Sequence, residues 1–359
     1  MNPRARKQNS VTQQPQTSAN SRTTPPELSS AWVVTDGAAG NERQALVLAR
    51  TLQLDPRVLR VDLRAPWSWF APRLLAGTRM AAPAEVRQLF TPPWPALVIG
   101  CGRQAALLTR LLRRMSAGKT FTIQILDPRI DPAEFDLVIA PRHDELTGAN
   151  VIQTLGALNA VDEQWLAAGL AQFPTLMQLP KPRTTLLLGG PRRGLGLDAA
   201  WFDDFLARVA ALSTRDGGSL LIASSRRTPE IWRVRSREHL RADCVHFWNS
   251  PADGANPYQG YLAAADRLVV TPDSVNMLSE ACATGRPVFT LLPQTARGRI
   301  PLLHAELHAQ GWLHTLDANV DFSTLQQPQP LQELAVVASK IWHVLESTRP
   351  DLAVALNGN

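Results

Sequence analysis

The chain has 359 residues, of which 45% are hydrophobic, and its 37 basic and 31 acidic side chains give a net charge of +6. That length predicts about two domains, and the mild positive charge suits an anionic substrate or an anionic lipid surface. Nucleic-acid binding is not predicted, since it needs a clustered basic face with stacking aromatics and only two tyrosines are present. The three cysteines are far apart and lack metal-ligand spacing, which indicates buried thiols in a reducing compartment.

Residues 1–30 are polar and nearly free of large apolar side chains. They lack the apolar centre of a secretory signal, and their prolines and glutamines work against an amphipathic transit helix. We therefore expect a disordered basic tail. No later stretch is apolar for long enough to cross a membrane, so we expect a cytoplasmic protein.

Beyond the tail, short apolar runs alternate with helix-length segments, which is typical of parallel sheets with crossover helices. We predict an α/β protein with two Rossmann-like, doubly wound parallel-sheet domains, residues 31–180 and 181–345, that face a central cleft and precede a tail over 346–359. The helical segment Leu331–Glu346 is of a kind that often crosses back to the first domain. The predicted strands are Ala31–Thr35, Val58–Leu63, Ala96–Ile99, Thr120–Leu126, Phe135–Ala140, Thr184–Leu188, Ser219–Ala223, Cys244–Trp248, Arg267–Thr271 and Val288–Leu291.

The segment Leu268–Pro293 reads as a strand, a Pro-Asp-Ser turn, a helix with one acidic residue and a second strand. Ser274 or Asp273 can cap that helix, and the free N–H groups of its first turn favour an anion. Glu280 lies about two turns further, on the same side as Asp273. A diphosphate at the helix start and a sugar hydroxyl at Glu280 fit this spacing. The alternative is an ordinary βαβ unit with a surface glutamate.

A glycine-rich loop follows the predicted strand Thr184–Leu188. The N–H groups of Gly189 and Gly190 can form an anion-binding nest, and Arg192 adds positive charge. Asp198 is expected to cap the next helix. Because the loop lacks the G-K-[ST] ending of a P-loop, ATP hydrolysis is not predicted.

A hydroxyl- and arginine-rich loop follows the next strand, where Ser225, Arg226 and Arg227 suit a diphosphate. The alternative is a pair of arginines on a solvated loop. Further along, Asn256 and Tyr258 flank a proline at a predicted helix start. Both are further candidates to contact the ligand.

The first strand ends in a loop whose Gly37 and Gly40 allow a ligand to approach the backbone closely. Asp36 is placed as a general base. Asn41 is predicted to cap the next helix, with Gln44 in capping-box register. The dinucleotide pattern G-x-G-x-x-G is absent, and a plain strand-to-helix turn is the alternative.

A single histidine, His143, stands between Arg142 and Asp144 just after a predicted strand. It is a candidate acid, base or substrate ligand. The alternative is a structural role, since Asp144 is too close in sequence to be assumed to orient the ring.

The segment Arg57–Met80 combines five arginines with Trp67, Trp69 and Phe70. Arginine beside interfacial tryptophan is typical of a membrane-surface patch. A buried loop with snorkelling arginines is the alternative. The segment predicts peripheral attachment to an anionic membrane surface.

Long blocks of this sequence, spread over nearly the whole chain past the tail, resemble a known family. WVVTDGAAGNERQAL (Trp32–Leu46), LLLGGPRRG (Leu186–Gly194), SSRRTP (Ser224–Pro229) and the blocks Ile125–Asn159 and Val270–Val288 are similar to the ELM1-like mitochondrial fission family. The resemblance implies a GT-B fold, as in glycosyltransferases and nucleotide-sugar epimerases. Plant members are associated with recruiting a dynamin-related protein to mitochondria, whereas the Arg- and Ala-rich composition here favours a bacterial member.

The resemblance also implies roles for individual residues. Glycosyltransferases of the muramyl-lipid type carry a histidine in their first glycine-rich turn, which this chain lacks, so the base is left open between Asp36 and His143. The resemblance assigns the donor phosphates to Gly189, Gly190, Ser225, Arg226, Asp273 and Ser274, the ribose or sugar to Glu280, and the acceptor side to Asp36 and Gly37.

The sequence thus favours a metal-independent GT-B glycosyltransferase with no cofactor, a nucleotide sugar as donor substrate and a membrane-associated or envelope glycan as acceptor. Arg226, Arg227 and the helix start at Ser274 would neutralise the leaving diphosphate in place of a metal. One alternative is an epimerase or hydrolase of the same nucleotide sugar. The other is a non-catalytic adaptor that binds a protein partner at a membrane.

Overall fold

The computed structural model describes residues 31–317, 319–320, 325 and 327–357. The predicted disordered tail over residues 1–30 lies outside the described residues. No described helix combines the length and the apolarity that crossing a bilayer requires.

The first half of the chain forms a six-stranded parallel sheet. Its strands are β1 (Ala31–Thr35), β2 (Pro56–Arg60), β3 (Leu97–Cys101), β4 (Phe121–Ile125), β5 (Leu137–Pro141) and β6 (Val151–Thr154). They pair in the order β2-β1-β3-β4-β5-β6. β1, β3, β4 and β5 are buried along their whole length, which explains the apolar runs in β1, β3 and β5, while β4 also buries Thr122 and Gln124.

The second half forms another six-stranded parallel sheet. Its strands are β7 (Arg183–Leu188), β8 (Ser219–Ser224), β9 (Cys244–Trp248), β10 (Arg267–Val270), β11 (Val288–Thr290) and β12 (Leu313–Thr315). They pair in the order β12-β11-β10-β7-β8-β9. The chain therefore reverses direction across the sheet between β7 and β10, and ligands of doubly wound folds bind outside the carboxyl ends of the strands at such a point.

Helices pack on opposite faces of each sheet. They are α1 (Ala39–Thr51), α2 (Trp67–Phe70), α3 (Thr78–Ala81), α4 (Ala84–Gln88), α5 (Arg103–Met115), α6 (Glu163–Gln172), α7 (Ala199–Asp216), α8 (Glu230–His239), α9 (Tyr258–Ala264), α10 (Val275–Ala283), α11 (Ile300–Ala309), α12 (Leu334–Thr348) and α13 (Pro350–Asn357). In the first sheet Val33 of β1 joins a core with α1, while its neighbour Val34 joins a separate core with α5. In the second sheet Leu187 packs toward α9 and α10, and Leu186 toward α7 and α8.

The predicted fold class is confirmed, since two doubly wound parallel-sheet domains face each other. Each of the ten predicted strands overlaps an observed strand, although β2 starts and ends earlier than the predicted Val58–Leu63. The strands that the sequence missed are β6 and β12, which lie at sheet edges. Gln153 of β6 and Thr315 of β12 are exposed, so neither strand reads as an apolar run.

The C-terminal helices α12 and α13 pack on the first domain. Ile341 and Leu345 of α12 and Leu352 of α13 are fully buried in the core that also contains α1. The last helical segment thus returns to the first domain, as the sequence led us to expect. The second domain consequently ends before α12, not at residue 345, and the predicted tail over 346–359 contains the end of α12 and helix α13, whose Leu352, Ala353 and Leu356 are buried.

Replacing Leu352 with alanine should therefore destabilise the first domain. Leu352 is 0% exposed in its core, and such a truncation costs about 2–5 kcal/mol of unfolding free energy. Val354→Ala on the same helix is the control, since Val354 is 76% exposed. Denaturant unfolding measures both variants, and equal stabilities would contradict the docking of α13.

Candidate functional site

A cleft of about 730 Å³ opens between the carboxyl ends of the second sheet and the start of α1. The first domain contributes Ala38, Ala39, Gly40 and Arg43 to its lining. The cleft brings together, of the residues that the sequence predicted, Gly40, Ser225, Arg226, Arg227, Asn256, Tyr258, Ser274 and Glu280.

A buried carboxylate, Asp273, supports the floor of this cleft. Its side chain is 0% exposed and accepts hydrogen bonds from Thr271 Oγ1 at 2.7 Å, Gly190 N at 3.1 Å and Arg227 Nη2 at 2.6 Å. A Cβ on Gly189 would lie 2.1 Å from Asp273 Oδ1, so only glycine fits there. A buried carboxylate needs such partners, and Asp273 therefore organises the loops around the cleft.

The prediction that the N–H groups of Gly189 and Gly190 form an anion-binding nest is wrong, because both groups already donate to side chains of the protein. Gly189 N donates to Thr271 Oγ1 at 2.7 Å and Gly190 N donates to Asp273. Arg192, which follows, is exposed and donates to the backbone oxygen of Asp273 at 3.2 Å. The cause is the burial of Asp273, which accepts from Gly190 N and from the same Thr271 hydroxyl that accepts from Gly189 N, so neither N–H group is left to face an anion.

The loop after β8 is held in shape by its own hydroxyl groups. Thr228 Oγ1 accepts from Ser225 N at 2.9 Å, and Ser225 Oγ accepts from Arg227 N at 3.2 Å. This turn points the exposed side chain of Arg226 into the cleft lining. Arg226 makes no hydrogen bond or ion pair with any residue that the structure describes.

Helix α10 begins at the cleft as the sequence predicted. Ser274 is its N-cap and accepts from Met277 N at 3.4 Å, while Asp273 turns inward instead. Asp198 likewise caps α7, accepting from Trp201 N at 2.9 Å. The start of α10 therefore presents its dipole to the cleft beside Arg226.

Glu280, about two turns along α10, is the acidic residue of the cleft lining. Tyr258 donates its hydroxyl to Glu280 Oε2 at 2.5 Å, and Arg43 Nη1 lies 3.6 Å from Oε1. The side chain of Glu280 is 14% exposed, and this burial raises its pKa. Burial also raises the pKa of Tyr258, which keeps the phenol protonated as a donor. Asn256 accepts from Tyr258 N at 3.0 Å and so fixes the start of α9.

The contact between the domains runs along one face of α10. Asn276 Oδ1 accepts from Gln44 Nε2 at 3.4 Å, and Ser279 Oγ accepts from Ala157 N at 2.9 Å. Together with Glu280 and Arg43, these pairs join α10 to the first domain. The helix that faces the cleft is thus also the helix that joins the two domains.

The loop after β1 differs from its predicted form. α1 begins at Ala39, with Ala38 as its N-cap, so neither the cap by Asn41 nor the capping box with Gln44 forms. The reason is Asp36, whose carboxylate accepts from Ala38 N at 3.1 Å and from Asn41 Nδ2 at 3.1 Å. Gly37 has a φ of +77° in this turn. The side-chain amide of Asn41 thus fixes the orientation of the Asp36 carboxylate, next to the cleft.

His143 lies at a second contact between the domains, away from the cleft lining. It is 7% exposed, and burial lowers its pKa, so the ring is neutral. Arg299 pairs there with Asp127 at 2.9 Å and Asp144 at 2.8 Å. The structure therefore does not bring His143 into the same lining as Glu280 and Arg226.

Sequence reasoning missed Arg43 and Asn276. Arg43 lies three residues after Gly40, which places it on the same face of α1, and that spacing was the available signal. Asn276 stands against Gly40 so closely that a Cβ there would lie 2.2 Å from Asn276 Nδ2. Across the described ranges, no group of three or more metal-ligating side chains is present.

Two Rossmann-like domains that face each other across such a cleft define a protein of the GT-B fold. Comparison with known families gives a closer assignment. The model of the family "Mitochondrial fission ELM1" matches residues 39–345. The chain belongs to this family.

A curated relative supports that assignment. The mitochondrial fission protein ELM1 of Arabidopsis thaliana is 32% identical over 283 residues, which are 71% of this chain. The match spans 65% of the length of the plant protein.

Solved structures share the fold. A putative UDP-N-acetylglucosamine 2-epimerase from Listeria monocytogenes aligns with a TM-score of 0.58 over 90% of this chain and 97% of its own, at 12% identity. The UDP-GlcNAc 2-epimerase of Methanocaldococcus jannaschii also gives 0.58, over 88% of this chain and 99% of its own, at 11% identity. Identities this low establish the fold alone.

The raised pKa of Glu280 makes a prediction about stability and pH. Because the folded pKa lies above the unfolded value of 4.5, the folded state is favoured at low pH and loses stability as the pH rises from 4.5 through the folded pKa. Glu280→Gln should remove this loss, so its stability relative to the wild type should increase with pH across that window. Denaturant unfolding at a series of pH values measures it.

The matched control is Glu238→Gln, because Glu238 is an exposed glutamate of α8. A difference between Glu280→Gln and the wild type that does not change with pH would contradict the burial of the Glu280 charge.

Proposed function

We propose that this protein binds a nucleotide-activated sugar in the cleft and transfers the sugar, without a metal ion or cofactor, to a membrane-associated acceptor. The observation that carries the proposal is the joint presence, in one cleft of a GT-B fold, of the start of α10, the largely buried Glu280 and Arg226, which has no partner among the described residues. An adaptor has no need of this combination.

The charged residues of the cleft indicate how it would hold the nucleotide-sugar donor. A leaving diphosphate is stabilised by fixed positive groups aimed at it, and Arg226 supplies one with no competing protein partner among the described residues. Arg227 contributes less, because Asp273 already neutralises it at 2.6 Å. Glu280 Oε1 is available to accept from a sugar hydroxyl, since Tyr258 occupies only Oε2.

On the acceptor side we propose Asp36 as the general base. Its carboxylate is held by Asn41 and by Ala38 N in a half-buried position at the end of β1. His143 is a weaker candidate because it is 7% exposed beneath the second interdomain contact. A base must reach the proton that it removes.

Nucleotide binding should stabilise the protein against heat. A ligand at 100 times its Kd adds about 2.7 kcal/mol of apparent stability, which a thermal-shift screen of nucleoside diphosphates and nucleotide sugars detects. Arg226→Gln and Glu280→Gln should lose this shift. Arg50→Gln, an exposed position at the far end of α1, should keep it.

The reaction products then distinguish the alternatives. Release of free nucleoside diphosphate that depends on an added lipid-linked acceptor supports transfer, whereas an epimerised or hydrolysed sugar without acceptor supports the other two enzyme reactions. If no nucleotide shifts the melting temperature of the wild type, the proposal fails and the adaptor reading takes its place.

The proposed membrane contact rests on an exposed apolar and basic patch around α2 and α3. Trp69, Phe70 and Met80 are 71%, 59% and 67% exposed, and residues 63–80 contain no aspartate or glutamate. Arg103 donates to Trp69 O at 3.4 Å and so joins the patch to the start of α5. The exposed arginines of the patch are Arg64, Arg73, Arg79 and Arg103.

Trp69→Ser with Phe70→Ser should abolish flotation with anionic vesicles of phosphatidylglycerol. Both rings are exposed, whereas Trp67 is half-buried and donates Nε1 to Ala76 O at 2.7 Å, so its replacement would disturb the fold as well. Ile231→Ser is the matched control, since Ile231 is 56% exposed on the second domain. Equal flotation of wild type and double variant, or none for either, would refute the patch.

A further inference from the structure

We infer that Arg43 of the first domain and Arg226 of the second form a two-sided clamp for a diphosphate, so that the cleft selects nucleoside diphosphates over monophosphates. This inference rests on the proposed function and deepens it. The sequence did not single out Arg43.

Arg43 is the charged side chain that the first domain contributes to the cleft lining. Its Nε donates to Ala39 O at 3.3 Å within α1. Its Nη1 lies 3.6 Å from Glu280 Oε1, beyond ordinary hydrogen-bond distance, and the side chain is 64% exposed. Because no N–H group of Arg43 donates to Glu280 at hydrogen-bond distance, the guanidinium can turn to a ligand while Glu280 keeps the hydrogen bond from Tyr258.

The other arginines of the cleft are already engaged. Arg227 pairs with the buried Asp273 at 2.6 Å. Arg233 pairs with Glu230 at 3.2 Å and donates to Ser225 O at 3.3 Å. Arg43 and Arg226 are therefore the guanidinium groups of the lining that no carboxylate of the described residues holds at hydrogen-bond distance.

Their placement on opposite walls determines the ligand. A guanidinium binds a phosphate through two parallel N–H donors. A monophosphate offers one such group, whereas a diphosphate offers a separate group to each wall. Because Arg43 stands on α1 and Arg226 on the loop after β8, a diphosphate would bridge the domains.

Calorimetric titration of the full-length protein with UDP, ADP, GDP and CDP, and with the four monophosphates, tests the clamp. Arg43→Gln should weaken binding of the preferred diphosphate about tenfold, the effect of one charge-assisted hydrogen bond, and leave its monophosphate within a factor of about two. Arg43→Lys should recover part of the loss because it keeps the charge without the fork. In the double variant with Arg226→Gln, the two losses should not add, since both groups hold one ligand.

The control for charge is Arg50→Gln, which removes the same charge from the exposed end of α1. Melting curves confirm that each variant is folded. If the wild type binds diphosphates and Arg43→Gln binds them equally well, the clamp is refuted while the proposed function stands. Equal affinity of the wild type for monophosphate and diphosphate also refutes it. If no nucleotide binds the wild type, the clamp and the proposed function fail together.

Discussion

The close approach of α10 to the first domain is the constraint on which the cleft depends. Two glycines permit it: a Cβ on Gly40 would lie 2.2 Å from Asn276 Nδ2, and one on Gly156 would lie 2.4 Å from Ser279 Oγ. A larger residue at Gly156 would also meet Ser279 Cβ at 3.0 Å and so press on the helix, whereas one at Gly40 would displace the side chain of Asn276. Because α10 also begins at the cleft, the packing of these glycines sets the distance between the two walls that face a ligand.

Asp273 and Glu280 show how burial and hydrogen-bond partners decide whether a carboxylate supports the fold or can bind a ligand. Asp273 is fully buried but holds Arg227 and two further donors, so it serves as scaffold. Glu280 is nearly as buried and has only a phenol hydroxyl and an arginine at 3.6 Å. Since a poorly compensated carboxylate raises its pKa, Glu280 retains capacity to accept from a ligand while Asp273 does not.

The sequence predicts central features better than edges and long-range pairing. Central strands such as β3, β5 and β8 are recognisable because most of their residues are apolar on both faces, whereas β6 and β12 at the edges are short and partly exposed. The cap by Asp198 depends only on local spacing, but Asn41 fails as a cap because Asp36 takes its amide. In the same way, the sequence suggests Asp273 as a phosphate ligand because its contacts with Gly190 and Arg227, which lie 83 and 46 residues away in sequence, are visible only in the structure.

The two sides of the interface between the domains are held by different kinds of contact. Glu333, just before α12, accepts from Leu155 N at 2.8 Å and Gly156 N at 3.1 Å, so the two chain crossings are bonded to each other. At the front the domains meet through side-chain pairs, such as Arg299 with Asp144 and Arg142 with Glu306. Surface ion pairs of this kind contribute little energy and rearrange readily. The interface is therefore held by a carboxylate on backbone N–H groups behind the cleft and by ion pairs between side chains in front of it.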